Sequence, residues 1–67
     1  MTILLNGKSV QLPSEVTTIK ALLTHYQLEN RIVIVEQNTE IVYKEQYSSS
    51  MLSDKDKIEI IHFVGGG

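Results

Sequence analysis

The stretch Lys57-Ile58-Glu59-Ile60-Ile61-His62-Phe63-Val64-Gly65-Gly66-Gly67 decides the fold, because an apolar, strand-like run passes directly into three glycines. Successive side chains of a strand point to opposite faces. Ile58 and Ile60 therefore share one face, and Ile61 and Phe63 share the other. A strand that is apolar on both faces belongs in the middle of a sheet. One helix covers only one face of a small sheet, so the second face either exposes an apolar patch that binds another protein or is shielded by the segment 44–53, shielding being the preferred reading for any single residue. The strand end at Phe63-Val64, beside the glycines, is expected to bind another protein.

Glycine has no Cβ, so Gly65, Gly66 and Gly67 can lie extended in a channel too narrow for other residues. At about 3.3 to 3.6 Å per extended residue, they carry Gly67 roughly 10 Å beyond the strand. That reach brings a carboxylate at Gly67 into a partner's active site while the folded body stays outside. Simple fraying of small terminal residues is the alternative reading.

Working backward from this strand, Asp54-Lys55-Asp56 reads as a turn, and Lys44 to Ser53, with Ser48-Ser49-Ser50, as a loop or a single helical turn. Glu40 to Tyr43 is a weak strand after a turn at Gln37-Asn38-Thr39. The β-branched run from Arg31 to Glu36 reads as a strand buried on both sides. Ile19, Leu22, Leu23 and Tyr26 fall at i, i+3, i+4 and i+7, which predicts a helix capped by Thr17 or Thr18 and ending near Glu29-Asn30. Thr2 to Leu5 and Lys8 to Leu12 form a hairpin about Asn6-Gly7, since both turn positions tolerate positive φ. The order strand, strand, helix, strand, weak strand, strand predicts an α+β fold of the β-grasp type. Its mixed sheet of four to five strands carries one main helix on one face, with the first and last strands parallel at the centre. The domain is expected over 1–64, followed by a flexible tail over 65–67.

Sixty-seven residues hold one modest core, and a chain of this size buries only about 60% of its unfolded surface. The composition, 42% hydrophobic and 21% charged, is that of a globular domain. A net charge of -2 and a pI near 5.5 argue against nucleic-acid binding, which leaves a basic footprint. No apolar stretch approaches the roughly 20 residues needed to span a bilayer, and no leader pattern opens the chain. The chain reads as cytoplasmic. The absence of cysteine removes disulfides, the usual zinc ligands and any thiol nucleophile.

Little else in the sequence offers chemistry. His25 and His62 lack a nucleophile and orienting acid in a recognisable arrangement. Ser48 to Ser50 lack the Gly-x-Ser-x-Gly setting of an exposed nucleophile. Asp54, Asp56 and Glu59 begin like a calcium loop but lack its glycine and closing glutamate, and read as a solvated turn. No glycine-rich loop for nucleotide phosphates precedes the helix. The distinctive reactive group is then a carboxylate on a glycine tail. A carboxylate is a poor electrophile until activated, as ATP does in forming an acyl-adenylate, and glycine hinders the following attack least.

Leu5-Asn6-Gly7, Thr18-Ile19 with Leu22-Leu23, and Leu52 to Ile60 leading into Phe63-Val64-Gly65-Gly66-Gly67 resemble the ThiS family, the sulfur carriers of thiamine biosynthesis, over essentially the whole chain. The resemblance implies a ubiquitin-like β-grasp fold and adenylation of Gly67 by a ThiF-type enzyme. Gly67 is then converted to a thiocarboxylate with sulfur drawn from cysteine through a donor such as a cysteine desulfurase, and presented to thiazole synthase. The chain would be a co-substrate rather than an enzyme, binding no cofactor itself, with ATP used by the adenylating partner. Gly65 and Gly66 would thread into partner active sites, with Ile61, Phe63, Val64, Lys44 and Tyr47 forming the partner-binding surface. Relatives often have glycine at Lys55, and Arg and Trp near Lys44 and Tyr47, which leaves the local turn open. The small subunit of molybdopterin synthase, a ubiquitin-like modifier and a β-grasp interaction module with an idle tail are the alternatives.

Overall fold

Asn6 and Gly7 turn the chain first, with φ of 49° and 83°. Positive φ at both central residues is the turn geometry that matches the twist of a tight hairpin. Strands β1 (Thr2–Leu5) and β2 (Lys8–Gln11) pair antiparallel across it. Helix α1 (Ile19–His25) follows, then β3 (Val33–Gln37), β4 (Glu40–Val42), a short 3-10 turn at Lys44–Gln46 and β5 (Lys57–His62). The computed structural model describes residues 1–63. The described strands form one sheet in the order β2-β1-β5-β3-β4, with β5 parallel to β1 and antiparallel to β3. The β-grasp topology expected from the sequence is present.

Thr18 is the helix cap, its Oγ1 accepting from the Ala21 amide at 3.0 Å, and Ile19, Leu22 and Leu23 are buried beneath it. The helix ends at His25, earlier than the apolar periodicity predicts. Gln27 takes φ of 61°, and the Gln27 and Leu28 amides donate back to the Thr24 and Leu23 carbonyls at 3.0 and 2.7 Å. This closure satisfies the last helical carbonyls without glycine. Tyr26, expected on the buried face, is the exposed residue at the helix end.

The helix-side face of the sheet buries Ile3, Val35, Val42, Ile58 and Ile60. Two expectations about the other face are corrected. Strand β3 starts at Val33 rather than Arg31 and is buried on one side only, since Ile32 and Ile34 are exposed. The segment 44–53 does not shield the second face, because it is bonded to the start of α1. The Ile19 amide donates to the Ser50 carbonyl, the Lys20 amide to Tyr47 and the Leu52 amide to Thr17.

The turn before β5 is also different from the solvated one expected. Asp56 is 8% exposed and accepts from the Asn38 side chain, the Gln37 side chain and the Ser53 amide at 2.9, 2.9 and 2.8 Å. Gln37 reaches on to the Met51 carbonyl, and Asn38 accepts from the Lys57 amide. One carboxylate thus joins the β3-β4 turn, the loop before β5 and β5 itself. Lys55 beside it takes φ of 71°, a conformation that a glycine adopts without strain, so the turn keeps its shape with lysine in that place. Asp54 completes the junction by accepting from the Thr2 amide at 2.8 Å.

Burial pushes the Asp56 carboxyl up, but the hydrogen bonds from Asn38, Ser53 and Gln37 outweigh it and hold the group below its ordinary 3.8. A depressed native pKa adds stability above the unfolded value that is lost as pH falls through the native one. Asp56→Asn presents an amide to groups that already donate, so it is expected to cost about 2 kcal/mol near pH 6. In paired denaturant titrations the gap to wild type should narrow once pH falls below about 3.8. A gap that stays constant with pH would contradict this role for Asp56.

Candidate functional site

Strand β5 leads into the glycine segment, and its neighbours determine how firmly that segment is rooted. On the β3 side the register runs from Ile58 opposite Gln37 to His62 opposite Val33. The Phe63 amide then donates to the Ile32 carbonyl at 3.3 Å. On the β1 side the ladder is shorter, ending where the Asn6 amide donates to the Ile58 carbonyl at 2.9 Å. There the Asn6 side chain replaces the missing strand. Its Oδ1 accepts from the Ile60 amide at 2.8 Å and its Nδ2 donates to the Ile60 carbonyl at 3.3 Å. A side-chain amide offers one acceptor and two donors, so one asparagine supplies both partners of a strand rung while also turning the chain. Nothing in the hairpin signal at Asn6-Gly7 revealed this second use.

The residues expected to contact partners divide between two sides of the sheet. Ile61 and Phe63 are 49% and 52% exposed on the face away from α1. Sequence reasoning missed their neighbours Leu4, Ile34 and Ile41, which are exposed on the same face, because β3 read as a strand covered on both sides. Ile34 lies directly opposite Ile61. Glu36 and Glu59 also lie opposite one another on this face, a like-charge pairing that weakens a sheet and contributes nothing to the core. Lys44 and Tyr47 lie on the helix side instead, Lys44 exposed and Tyr47 packed against the core. Val64, Gly65, Gly66 and Gly67 are outside the described residues.

The helix-side residues line a cleft of about 640 Å³ together with Lys20, Leu23, Leu28, Arg31, Ile32 and Val33. Because Val33 pairs with His62 and Ile32 accepts from Phe63, this cleft borders the end of β5 from one side while the apolar face borders it from the other. Neither surface has the nucleophile and base of a hydrolytic centre. The arrangement is that of a small β-grasp protein presenting its terminal strand between two surfaces.

That class of protein has a specific family here. The ThiS family model matches residues 3–67. The chain is 59% identical over 63 residues to the sulfur carrier protein ThiS of Bacillus subtilis, covering 94% of this chain and 96% of that one. It is also 39% identical along its full length to part of a thiazole synthase of Paramagnetospirillum magneticum, spanning 20% of that protein. The crystal structure of a thiamine biosynthesis protein (ThiS) from Geobacter metallireducens superposes with a TM-score of 0.82 at 28% identity, with full coverage of both chains. The chain belongs to the ThiS family.

The Asn6 clamp has a measurable consequence. Asn6→Gly keeps the positive φ of the turn but removes both side-chain bonds, and is expected to cost about 1 to 2 kcal/mol. Hydrogen exchange should show the Ile60 amide losing protection while the Leu22 amide, bonded to the Thr18 carbonyl in α1, changes only with global stability. Equal loss at both amides would contradict a local clamp.

Proposed function

We propose that this sulfur carrier of the ThiS family holds its sulfur at the carboxyl group of Gly67 and acts as a co-substrate for partner enzymes. A carboxylate oxygen of Gly67 attacks the α-phosphorus of ATP in a ThiF-type enzyme, and pyrophosphate leaves. A persulfide sulfur supplied by a donor such as a cysteine desulfurase then attacks the acyl carbon and AMP departs, leaving an acyl disulfide; two equivalents of a thiol reductant cleave it, releasing the thiocarboxylate and the donor's cysteine thiol as the reductant becomes a disulfide. With no cysteine in the chain, no side-chain thiol or persulfide competes for this role. Thiazole synthase takes the thiocarboxylate in the final transfer, with Gly65 and Gly66 threaded into its active site.

The observation that carries this reading is the position of β5. The strand preceding the glycines is the sheet's central strand, bonded to β3 on one side and to β1 and Asn6 on the other. Docking such a rigid body fixes the end of β5 against the partner, so that only the short glycine segment is left for the partner's channel to order before reaction. The exposed Ile61 and Phe63 offer partners an apolar anchor, and Lys44 and Tyr47 a second contact. The thiazole synthase containing a stretch similar to this whole chain supports thiazole synthase as the receiving partner. The match to the ThiS family favours the thiazole pathway over transfer to a pterin.

In cells that depend on this chain for thiamine, deletion of Gly67 is expected to abolish growth without added thiamine while leaving the melting transition unchanged, since the described core is built from residues between Ile3 and Ile60. Growth equal to wild type would contradict a chemical role for that residue.

A further inference from the structure

The cleft beside Lys44 has a composition that the sulfur chemistry does not explain. The chain carries six Lys and Arg against eight Asp and Glu, yet Lys20, Arg31 and Lys44 all border this one depression and Glu29 is the acid among its lining residues. The three cations are exposed. Its floor is apolar, formed by Leu23, which is buried, and by Leu28 and Val33, which pack against the core. The walls are fixed by the backbone, because the Lys20 amide donates to the Tyr47 carbonyl at 2.9 Å and the Arg31 amide to the Leu28 carbonyl at 3.0 Å. A concave site with an apolar floor and a rim where three cations outnumber one acid matches a ligand that is apolar at its centre and negatively charged at its edges.

We propose that this cleft seats an acidic segment of a protein partner that also takes the tail, with an apolar side chain on the Leu23-Leu28-Val33 floor and carboxylates facing Lys20, Arg31 and Lys44. The proposal rests on the carrier reading, because its value lies in where the cleft sits. Val33 pairs with His62, so the floor of the cleft lies about one strand spacing, roughly 5 Å, from the end of β5. Gripping the cleft therefore fixes the point from which the glycines depart. The apolar face around Ile61 remains free on the opposite side of the sheet for the same partner or for another.

Affinities of the purified chain for its adenylating enzyme and for its thiazole synthase, each measured at low and high salt, test this directly. The double variant K20E/R31E is expected to weaken binding to at least one of them by about tenfold or more and to flatten its salt dependence. K8E, a charge reversal of equal sign on exposed β2, should leave affinity near wild type once net charge is allowed for. The proposal is overturned if K20E/R31E binds both partners as K8E does. It is also overturned if the isolated chain binds ATP and the double variant loses that binding, because the cleft would then be a nucleotide site. At saturating partner concentrations the double variant should still acquire sulfur at Gly67. Failure of the carrier reading would show differently, as a wild-type chain that never acquires sulfur.

Discussion

The parallel pairing of β1 with β5 is the constraint on which the rest of the structure depends. Parallel neighbours cannot be joined by a tight turn and need a long crossover, so the helix, β3, β4 and the segment 44–53 all lie between these two strands in sequence. Pairing them places β5 in the middle of the sheet, where Ile58 is fully buried and Ile60 nearly so. The described register of this pairing is short, Leu4 opposite Lys57 and Leu5 opposite Ile58. Side chains lengthen it at both ends. Asn6 carries the pairing on to Ile60, and the turn at 54–56 secures the start of β1 through the Asp54 carboxylate and through the Lys55 amide, which donates to the Thr2 carbonyl.

Much of this architecture was legible because period and turn chemistry agreed. The Asn6-Gly7 hairpin, the helix start at Thr18 and the two-faced β5 each carried a local signal that tertiary packing did not override. Besides the segment 44–53, three readings failed for identifiable reasons. The run from Arg31 to Glu36 is as β-branched as a fully buried strand, but the sheet has a helix on one side only, so Ile32 and Ile34 are exposed. Tyr26 continued the helical period, yet Gln27 entered the left-handed region and closed the helix before it. Asp56 read as surface because aspartates in turns usually are. Its three donors come from Gln37, Asn38 and Ser53, and local pattern does not show the first two folding back onto it.

The site was legible in a different proportion. Ile61 and Phe63 could be placed on an outward face from alternation alone, whereas their companions Leu4, Ile34 and Ile41 become a patch only when strands from distant parts of the chain are set side by side. Lys20, Arg31 and Lys44 are likewise separated in sequence and meet around one cleft. The co-substrate role proposed for this chain requires recognition by more than one enzyme, each offered the same reactive group. Two distinct surfaces flanking one strand end meet that requirement without moving the core, since each partner can hold the rigid body by a different side.

The central claim is chemical and concerns one group. The intact mass of the purified chain, measured before and after incubation with its adenylating enzyme, ATP and a cysteine-derived sulfur donor, tests it most directly. The account predicts that one oxygen is replaced by sulfur, and that fragmentation assigns the change to Gly67. An unchanged mass under conditions that convert the Bacillus subtilis relative, or a change located on any other residue, would contradict it.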